Sequence, residues 1–353
     1  MKLCNVLENK NTYIIAEMSA NHAGSFEYAK EIIHAAKESG ADCIKIQTYT
    51  ADTITIDCDN EYFQIDNGKW KGENLYHLYK KAYTPWEWQA DLKIEAEKAG
   101  IDFLSTPFDK RSVDFLEKLN IQAYKIASFE LVDIPLINYV ASKRKPIIMS
   151  TGMGSLAEIE EAVTTVRKYH NQIILLKCSS AYPAISDEMN LAAMVDMKER
   201  FGCLVGLSDH SMGSLGAVTA VAMGANIVEK HFCLSRKIEN PDSSFSMEPQ
   251  EFADMVRDIR IVEKAKGTVH YGPTEQEKDS IIFRKSIFVV RDIREGEVLT
   301  DQNIRVIRPG YGMKPKYWDK VLGKRAKKAL KRGMPLSSDL LEEDNRILKN
   351  SGD

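Results

Sequence analysis

The sequence predicts an α/β fold, a (β/α)8 barrel of the TIM type followed by a small β domain, and three observations carry that expectation. Short β-branched runs alternate with helix-period stretches through most of the chain. Eight such strand–helix units fit the roughly 250 residues that a barrel of this kind takes. Beyond about residue 270 the rhythm changes to short strands and glycine turns with no long helix.

Taken in order, the strand candidates are TYIIAE, CIKIQ, DFLST, AYKIAS, PIIMST, IILLKC, CLVGLS and NIVEK. Their runs of Val, Ile and Leu suit parallel strands buried on both faces. Between them, FEYAKEIIHAAKESG and LAEIEEAVTTVRKY repeat their apolar residues at helix period. The second opens with Ser155 followed by Glu158, the spacing of a capping box, which predicts a helix start just after the fifth strand. A doubly wound open sheet is the alternative, but no GxGxxG follows the first strand, and the count of eight favours closure.

In the C-terminal part, IREGEVLTDQNI from Ile293 half-repeats as LKRGMPLSSDLL from Leu330. Two similar turn units predict a small pseudo-symmetric β domain. The expected divisions are a barrel over 1–265, a linker over 266–283 and the small domain over 284–353. The basic cluster Lys324, Arg325, Lys327, Lys328, Lys331 and Arg332 reads as a solvated face of that domain.

Composition excludes several classes. A chain of 353 residues, 44% hydrophobic and 28% charged, can bury one large core and one smaller one. Its net charge of -3 leaves no footprint for nucleic acid. Six scattered cysteines without a CxxC read as reduced core residues. The start MKLCNVLENKNTY has no apolar segment of the secretory kind, and no apolar run reaches membrane-spanning length, so a cytoplasmic protein is expected.

The strand ends carry the chemistry. ANIVEKHFCL begins as a buried strand and ends on Glu229, Lys230 and His231. The other strands end alike: on Glu17; on Lys45 and Gln47, which share a side because side chains alternate; on Ser105 and Thr106; on Lys125, Ser128 and Glu130; on Ser150 and Thr151; on Cys178, Ser179 and Ser180; and on Ser208, Asp209 and His210. In a barrel these ends converge on the face where active sites lie. Lys45, Lys125, Thr106, Ser128, Ser150 and Ser208 form a donor set suited to a phosphate and a carboxylate on one small molecule, with amides of the TGMG turn as further donors. His210 and His231 could reach one divalent ion and leave positions open for water and substrate. A Schiff-base aldolase using Lys45 or Lys125 is the rival chemistry. Of the final triplet, Glu229 shares the inward side with His231, and Lys230 is expected to point toward the helix layer.

The motifs IIAEMSANHAGS, IKIQTYT, STPF, AYKIAS, STGM, GLSDH, EKHF and RPGYG together resemble the sialic acid synthase family over nearly the whole chain. That resemblance implies a (β/α)8 barrel with a C-terminal antifreeze-protein-like domain (SAF, β-clip) and a domain-swapped homodimer. It implies condensation of phosphoenolpyruvate with an N-acetylated amino sugar to a nine-carbon keto acid, with release of phosphate. Phosphoenolpyruvate contacts then fall on Lys45, Thr106, Lys125, Ser128, Ser150, Ser208 and His210, and a metal, Mn²⁺ or Mg²⁺ with Co²⁺ as a further candidate, on His210 and His231. Sugar contacts fall on Glu17, Gln47, Glu130, Tyr182, Asp242 and, from the partner's small domain, Arg308. The implied chemistry is attack of phosphoenolpyruvate C3 on the sugar aldehyde, addition of water at C2, and collapse with loss of phosphate. Glu17 or Glu130 is the expected proton-transfer group.

Within the family, AEMSANHAG, IKIQTYTADTIT and KCSSAYP are most similar to the pseudaminic acid branch, which implies a 6-deoxy-2,4-diacetamido sugar of the L-altrose type. Ser180 stands where neuraminate synthases commonly carry Asn. The alternatives are a neuraminate or legionaminate synthase, and, from another class, a non-catalytic carbohydrate-binding coat protein. The aromatic stretch EYFQIDNGKWKGENLYHLYKKAYTPWEW after the second strand is either a lid over the sugar end or a surface excursion.

Overall fold

The computed structural model describes residues 11–342, so the expected first residues of the barrel (1–10) and last residues of the small domain (343–353) lie outside the described residues. The chain divides after Gly267 into two compact units.

The first unit holds eight parallel strands: β1 (Tyr13–Glu17), β2 (Cys43–Thr48), β3 (Asp102–Pro107), β4 (Tyr124–Ile126), β5 (Ile147–Ser150), β6 (Ile173–Cys178), β7 (Leu204–Asp209) and β8 (Ile227–His231). They pair in the order 3-2-1-8-7-6-5-4, and β3 and β4, the ends of that order, lie side by side and bring the barrel near closure. The helices between them are α1 (Phe26–Glu38), α2 (Ala51–Ile54), α3 (Leu75–Ala82), α4 (Trp86–Ala99), α5 (Lys110–Lys118), α6 (Ile134–Ser142), α7 (Leu156–Arg167), α8 (Ala192–Phe201), α9 (Leu215–Ala222) and α10 (Pro249–Lys266). The capping box forms as the sequence predicts. The Ser155 amide donates to Glu158 Oε2 at 2.7 Å, and the Glu158 amide to Ser155 Oγ at 3.4 Å.

Two cores follow from the period-two alternation of strand side chains. One set of strand residues packs outward against the helices, as Ile14, Ile44, Ile147 and Val228 do. The other fills the barrel: Tyr13, Ile15, Cys43, Leu104, Ala123, Ile148, Ile174, Leu176 and Ile227. Gly206 of β7 belongs to that interior, where a Cβ would lie 2.2 Å from the Ile227 carbonyl oxygen and 2.8 Å from Leu176 Cδ2. Continuing the same parity toward the strand ends replaces this apolar filling with Glu17, Lys45, Thr106, Lys125, Ser150, Cys178, Ser208, Glu229 and His231. The barrel is therefore greasy below and ionisable above.

In the second unit, β9 (Ser286–Val289) pairs antiparallel with β10 (Ile304–Ile307), and α11 (Trp318–Val321) follows. The two half-repeats meet at their first residues: Ile293 and Leu330 exchange amide hydrogen bonds of 2.9 Å in both directions. Gly296 and Gly333 occupy equivalent turns with φ of +73° and +90°, a region that favours glycine. Leu299 and Leu336, three residues beyond each glycine, are both fully buried. The basic cluster is largely exposed; Lys331 pairs with Asp292 at 2.9 Å, and Arg325 donates to the Gly296 carbonyl.

Candidate functional site

The two inward lysines organise the ionisable layer. Lys45 Nζ lies 2.5 Å from Glu17 Oε2, 3.2 Å from Thr106 Oγ1 and 3.6 Å from Glu229 Oε1. Lys125 Nζ donates to Ser150 Oγ at 2.6 Å and lies 3.8 Å from the same Glu229 oxygen, which also accepts from Ser208 Oγ at 3.4 Å. Gln47 Nε2 donates to Glu17 Oε1 at 2.9 Å. Ser128 Oγ accepts from the Gly152 amide at 3.2 Å and also hydrogen-bonds Cys178. A Cβ at Gly152 would stand 2.2 Å from Ser180 Oγ and 2.7 Å from Ser128 Oγ, so only glycine permits this approach.

The TGMG turn contributes less than its sequence predicts. The amides of Thr151, Gly152, Gly154 and Ser155 already serve Leu176 O, Ser128 Oγ, Thr151 O and Glu158 Oε2. Three of the four TGMG amides are thus engaged within the protein.

Burial and charge split the acids. Desolvation raises Glu17 above the ordinary carboxylate range, against the pull of Lys45. Burial also works to raise Glu229, but Lys125, Lys45 and His210 outweigh it and hold it low. Burial opposes the charge on Lys45, and Glu17 and Glu229 more than restore it. Lys125 falls, because desolvation outweighs the attraction of Glu229. Glu130, on the turn after β4, is pushed up to about 7, chiefly by burial, and its Oε2 has no hydrogen-bond partner. Carboxyl groups driven apart in this way are the usual preparation for acid and base roles in one pocket.

The histidine ends meet beside the lysines. His210 and His231 have ring centroids 5.4 Å apart. His210 Nδ1 lies 2.9 Å from the Ser179 carbonyl, a contact that needs a proton on Nδ1 and leaves the Nε2 lone pair free in the neutral ring. Burial, with His210 and Lys45 nearby, drives His231 well below its ordinary value, so it is neutral, and its buried Nδ1 is unpartnered. His210, by contrast, is raised above its ordinary value, burial being outweighed by Cys178, the Ser179 carbonyl and Glu229. Two imidazoles side by side, once His210 gives up its proton, could hold a divalent ion that keeps most of its positions for oxygen ligands. No cluster of three or more His, Cys, Asp or Glu suited to a metal occurs among the described residues. Cys178, expected as core, lies 3.7 Å from His210 Nδ1; burial would raise its thiol, yet His210 brings it down to about 7. Cys43 and Cys233 are buried as expected, whereas Cys58 and Cys203 are only half-buried, and Cys4 lies outside the described residues.

Lys230 points to the helix layer, as the alternation predicts. It is 1% exposed, with Nζ 2.7 Å from both Asp209 Oδ2 and the Ser211 carbonyl. Asp209 Oδ1 accepts from the Ser211 amide and hydroxyl at 2.9 and 2.6 Å. This pair ties β7 to β8 directly behind the two histidines.

The structure thus gathers Glu17, Lys45, Gln47, Thr106, Lys125, Ser150, Ser208, His210 and His231, with Ser128 and Glu130 beside them. Tyr182 stacks on His210 at 4.3 Å, and Asp242 accepts from the Ala20 amide at 3.3 Å. Arg308 is exposed and belongs to the second unit. Sequence reasoning gave no role to Phe245, 4.9 Å from His231, or to Trp70, 5.5 Å from Tyr182. Both sit in irregular segments where no periodicity points inward, though Trp70 lies in the aromatic stretch already singled out.

A parallel barrel whose strand ends gather paired lysines, hydroxyls and two imidazoles has the arrangement of an enzyme active site. The NeuB family model matches residues 32–271 and the SAF domain model residues 284–342. The chain belongs to the NeuB family, the sialic acid synthases. It is 44% identical over 332 residues to the pseudaminic acid synthase of Helicobacter pylori, covering 93% of this chain and 97% of that protein. It is 36% identical to the N,N'-diacetyllegionaminic acid synthase of Legionella pneumophila, over 94% of each. Among solved structures, the N-acetylneuraminic acid synthetase of Leptospira borgpetersenii superposes with a TM-score of 0.68 at 33% identity, covering 77% of this chain and 90% of that one.

Proposed function

We propose that the chain is a pseudaminic acid synthase, condensing phosphoenolpyruvate with 2,4-diacetamido-2,4,6-trideoxy-L-altrose to give pseudaminic acid and phosphate. The observation that carries this reading is the ionisable layer itself: Lys45, Lys125 and four hydroxyls converge beside a histidine pair, in a chain 44% identical to a pseudaminic acid synthase.

Lys45 and Lys125, with Thr106, Ser128, Ser150 and Ser208, hold the phosphate and carboxylate of phosphoenolpyruvate before reaction. Their charge is in place when negative charge shifts, so little reorganisation is needed. A divalent ion held by His210 and His231, Mn²⁺ or Mg²⁺ with Co²⁺ as a substitute, supplies Lewis-acid polarisation of the sugar aldehyde when bound. Glu17 and Gln47, joined to each other, and Tyr182 and Asp242 orient the sugar. Glu130, carrying its proton near neutral pH, exchanges a proton as water adds at C2. The bond formed is C3 to the aldehyde carbon; the bond broken is C2 to the bridging oxygen, which leaves with phosphate.

The enzyme works as a homodimer in which Arg308 of one protomer serves the partner's sugar site. An exposed apolar rim supports an occupant at this end of the barrel: Phe129, Met153, Ile185, Met212 and Leu215, on the loops after four consecutive strands, are 55% to 80% exposed. Among the described residues no helix is long and apolar enough to cross a membrane, and we place the enzyme in the cytoplasm, where phosphoenolpyruvate is made.

Phosphate release on mixing the enzyme with Mn²⁺, phosphoenolpyruvate and a sugar panel tests the reading. Fastest release is expected with the L-altrose sugar. A preference for N-acetylmannosamine or the legionaminate precursor, or release with none, contradicts it.

A further inference from the structure

The excursion between β2 and α4 brings two residues to the histidine end of the barrel that no strand supplies. The Trp70 indole N–H donates to the Pro241 carbonyl at 3.1 Å, and the Lys69 ammonium donates to the same oxygen. The indole packs on Tyr182 with centroids 5.5 Å apart. Tyr182 packs on Phe245 at 5.1 Å and on His210 at 4.3 Å, and Phe245 lies 4.9 Å from His231. Lys69 Nζ sits 4.5 Å over the Phe245 ring.

These contacts build one surface beside the two imidazoles. Pro241, which both excursion residues grip, precedes Asp242 in the chain, so the strap is fastened where the sugar contacts lie. Trp70 has one polar atom, and Pro241 engages it; the rest of the indole offers a ligand only apolar area. Phe245 has no polar atom at all. A sugar hydroxyl turned toward the Trp70 indole face would lose water without gaining a hydrogen bond there, whereas a methyl group would gain contact.

We propose that Trp70 is a specificity-determining residue, forming with Tyr182, and backed by the buried Phe245, the wall against which the 6-deoxy end of the acetamido sugar packs. The proposal rests on the functional reading above and assigns the residue that selects a methyl over a hydroxymethyl group. Lys69 acts through Trp70 by sharing its anchor. Discrimination by one such apolar contact is on the order of 10- to 200-fold.

Steady-state kinetics of the full-length enzyme with Mn²⁺, phosphoenolpyruvate and either the 6-deoxy sugar or the same sugar bearing a 6-hydroxyl tests this. Trp70→Ala is expected to raise KM for the deoxy sugar about tenfold or more, narrow the preference by a similar factor, and leave KM for phosphoenolpyruvate within about twofold. Trp70→Phe, which keeps a ring but loses the tie to Pro241, is expected to fall between, and it carries the test if the alanine variant does not fold. Wild-type turnover together with an unchanged sugar KM in the variants, or equal rises for both substrates, overturns the proposal and spares the function. Absence of wild-type turnover with the deoxy sugar overturns both.

Discussion

His210 and His231 stand at the ends of adjacent strands with ring centroids 5.4 Å apart, and His231 keeps a buried Nδ1 without a hydrogen-bond partner. A neutral, unpartnered imidazole next to a second one is costly unless something binds there. Chelation is therefore expected to abolish turnover, and Mn²⁺, Mg²⁺ or Co²⁺ to restore it. His231→Ala is expected to lose more than the roughly 100-fold typical of an outer partner's loss while keeping its cooperative melt. Full activity in a sample shown by elemental analysis to hold no metal contradicts this.

Glu130 gives the site a titration near neutrality. Its carboxyl is raised in the folded protein to about 7, so its contribution to stability is complete below its unfolded value and is lost as pH rises through about 7. The change is at most about 3 kcal/mol. Glu130→Gln is expected to flatten urea-denaturation stability across that window and to remove the matching limb from the pH profile of kcat/KM. An unaltered profile would assign the proton transfer to Glu17.

Behind the histidines, Lys230→Met leaves the buried Asp209 carboxylate without its cation. Breaking such a pair costs about 3–5 kcal/mol. Urea denaturation is expected to show that loss, and a change under about 1 kcal/mol would mean the pair is not held as its 2.7 Å contact indicates.

Shared active sites predict complementation between protomers. Lys45→Ala and Arg308→Ala are each expected to be nearly inactive, and co-refolding equal amounts should recover about a quarter of wild-type activity, from one intact site in each mixed dimer. Mixed dimers that form and stay inactive would show that Arg308 does not serve a partner's barrel.

Much of the site was legible because strand alternation is a local rule. Lys45 with Gln47, and Glu229 with His231, could be placed on one side from spacing alone, and the half-repeat pointed to a pseudo-symmetric β domain, whose two repeats the structure joins at Ile293 and Leu330. What escaped depends on three-dimensional closure. Two of the TGMG amides are engaged by Leu176 and Ser128, partners that only folding supplies. Cys178 is buried, as a core reading expects, and its contact with His210 comes from the neighbouring strand, which sequence alone does not show. Trp70 sits in an aperiodic segment whose tie to Pro241 spans 171 residues.

Water is expected to attack C2 while the lysine–hydroxyl cradle holds the departing phosphate, and the fate of one oxygen atom decides it. With ¹⁸O in the bridging position of phosphoenolpyruvate, mass spectrometry of a single turnover with the 2,4-diacetamido-2,4,6-trideoxy-L-altrose sugar is predicted to find the label in inorganic phosphate and none in the nonulosonate. Label retained at C2 of the product, with unlabelled phosphate, would contradict the assignment.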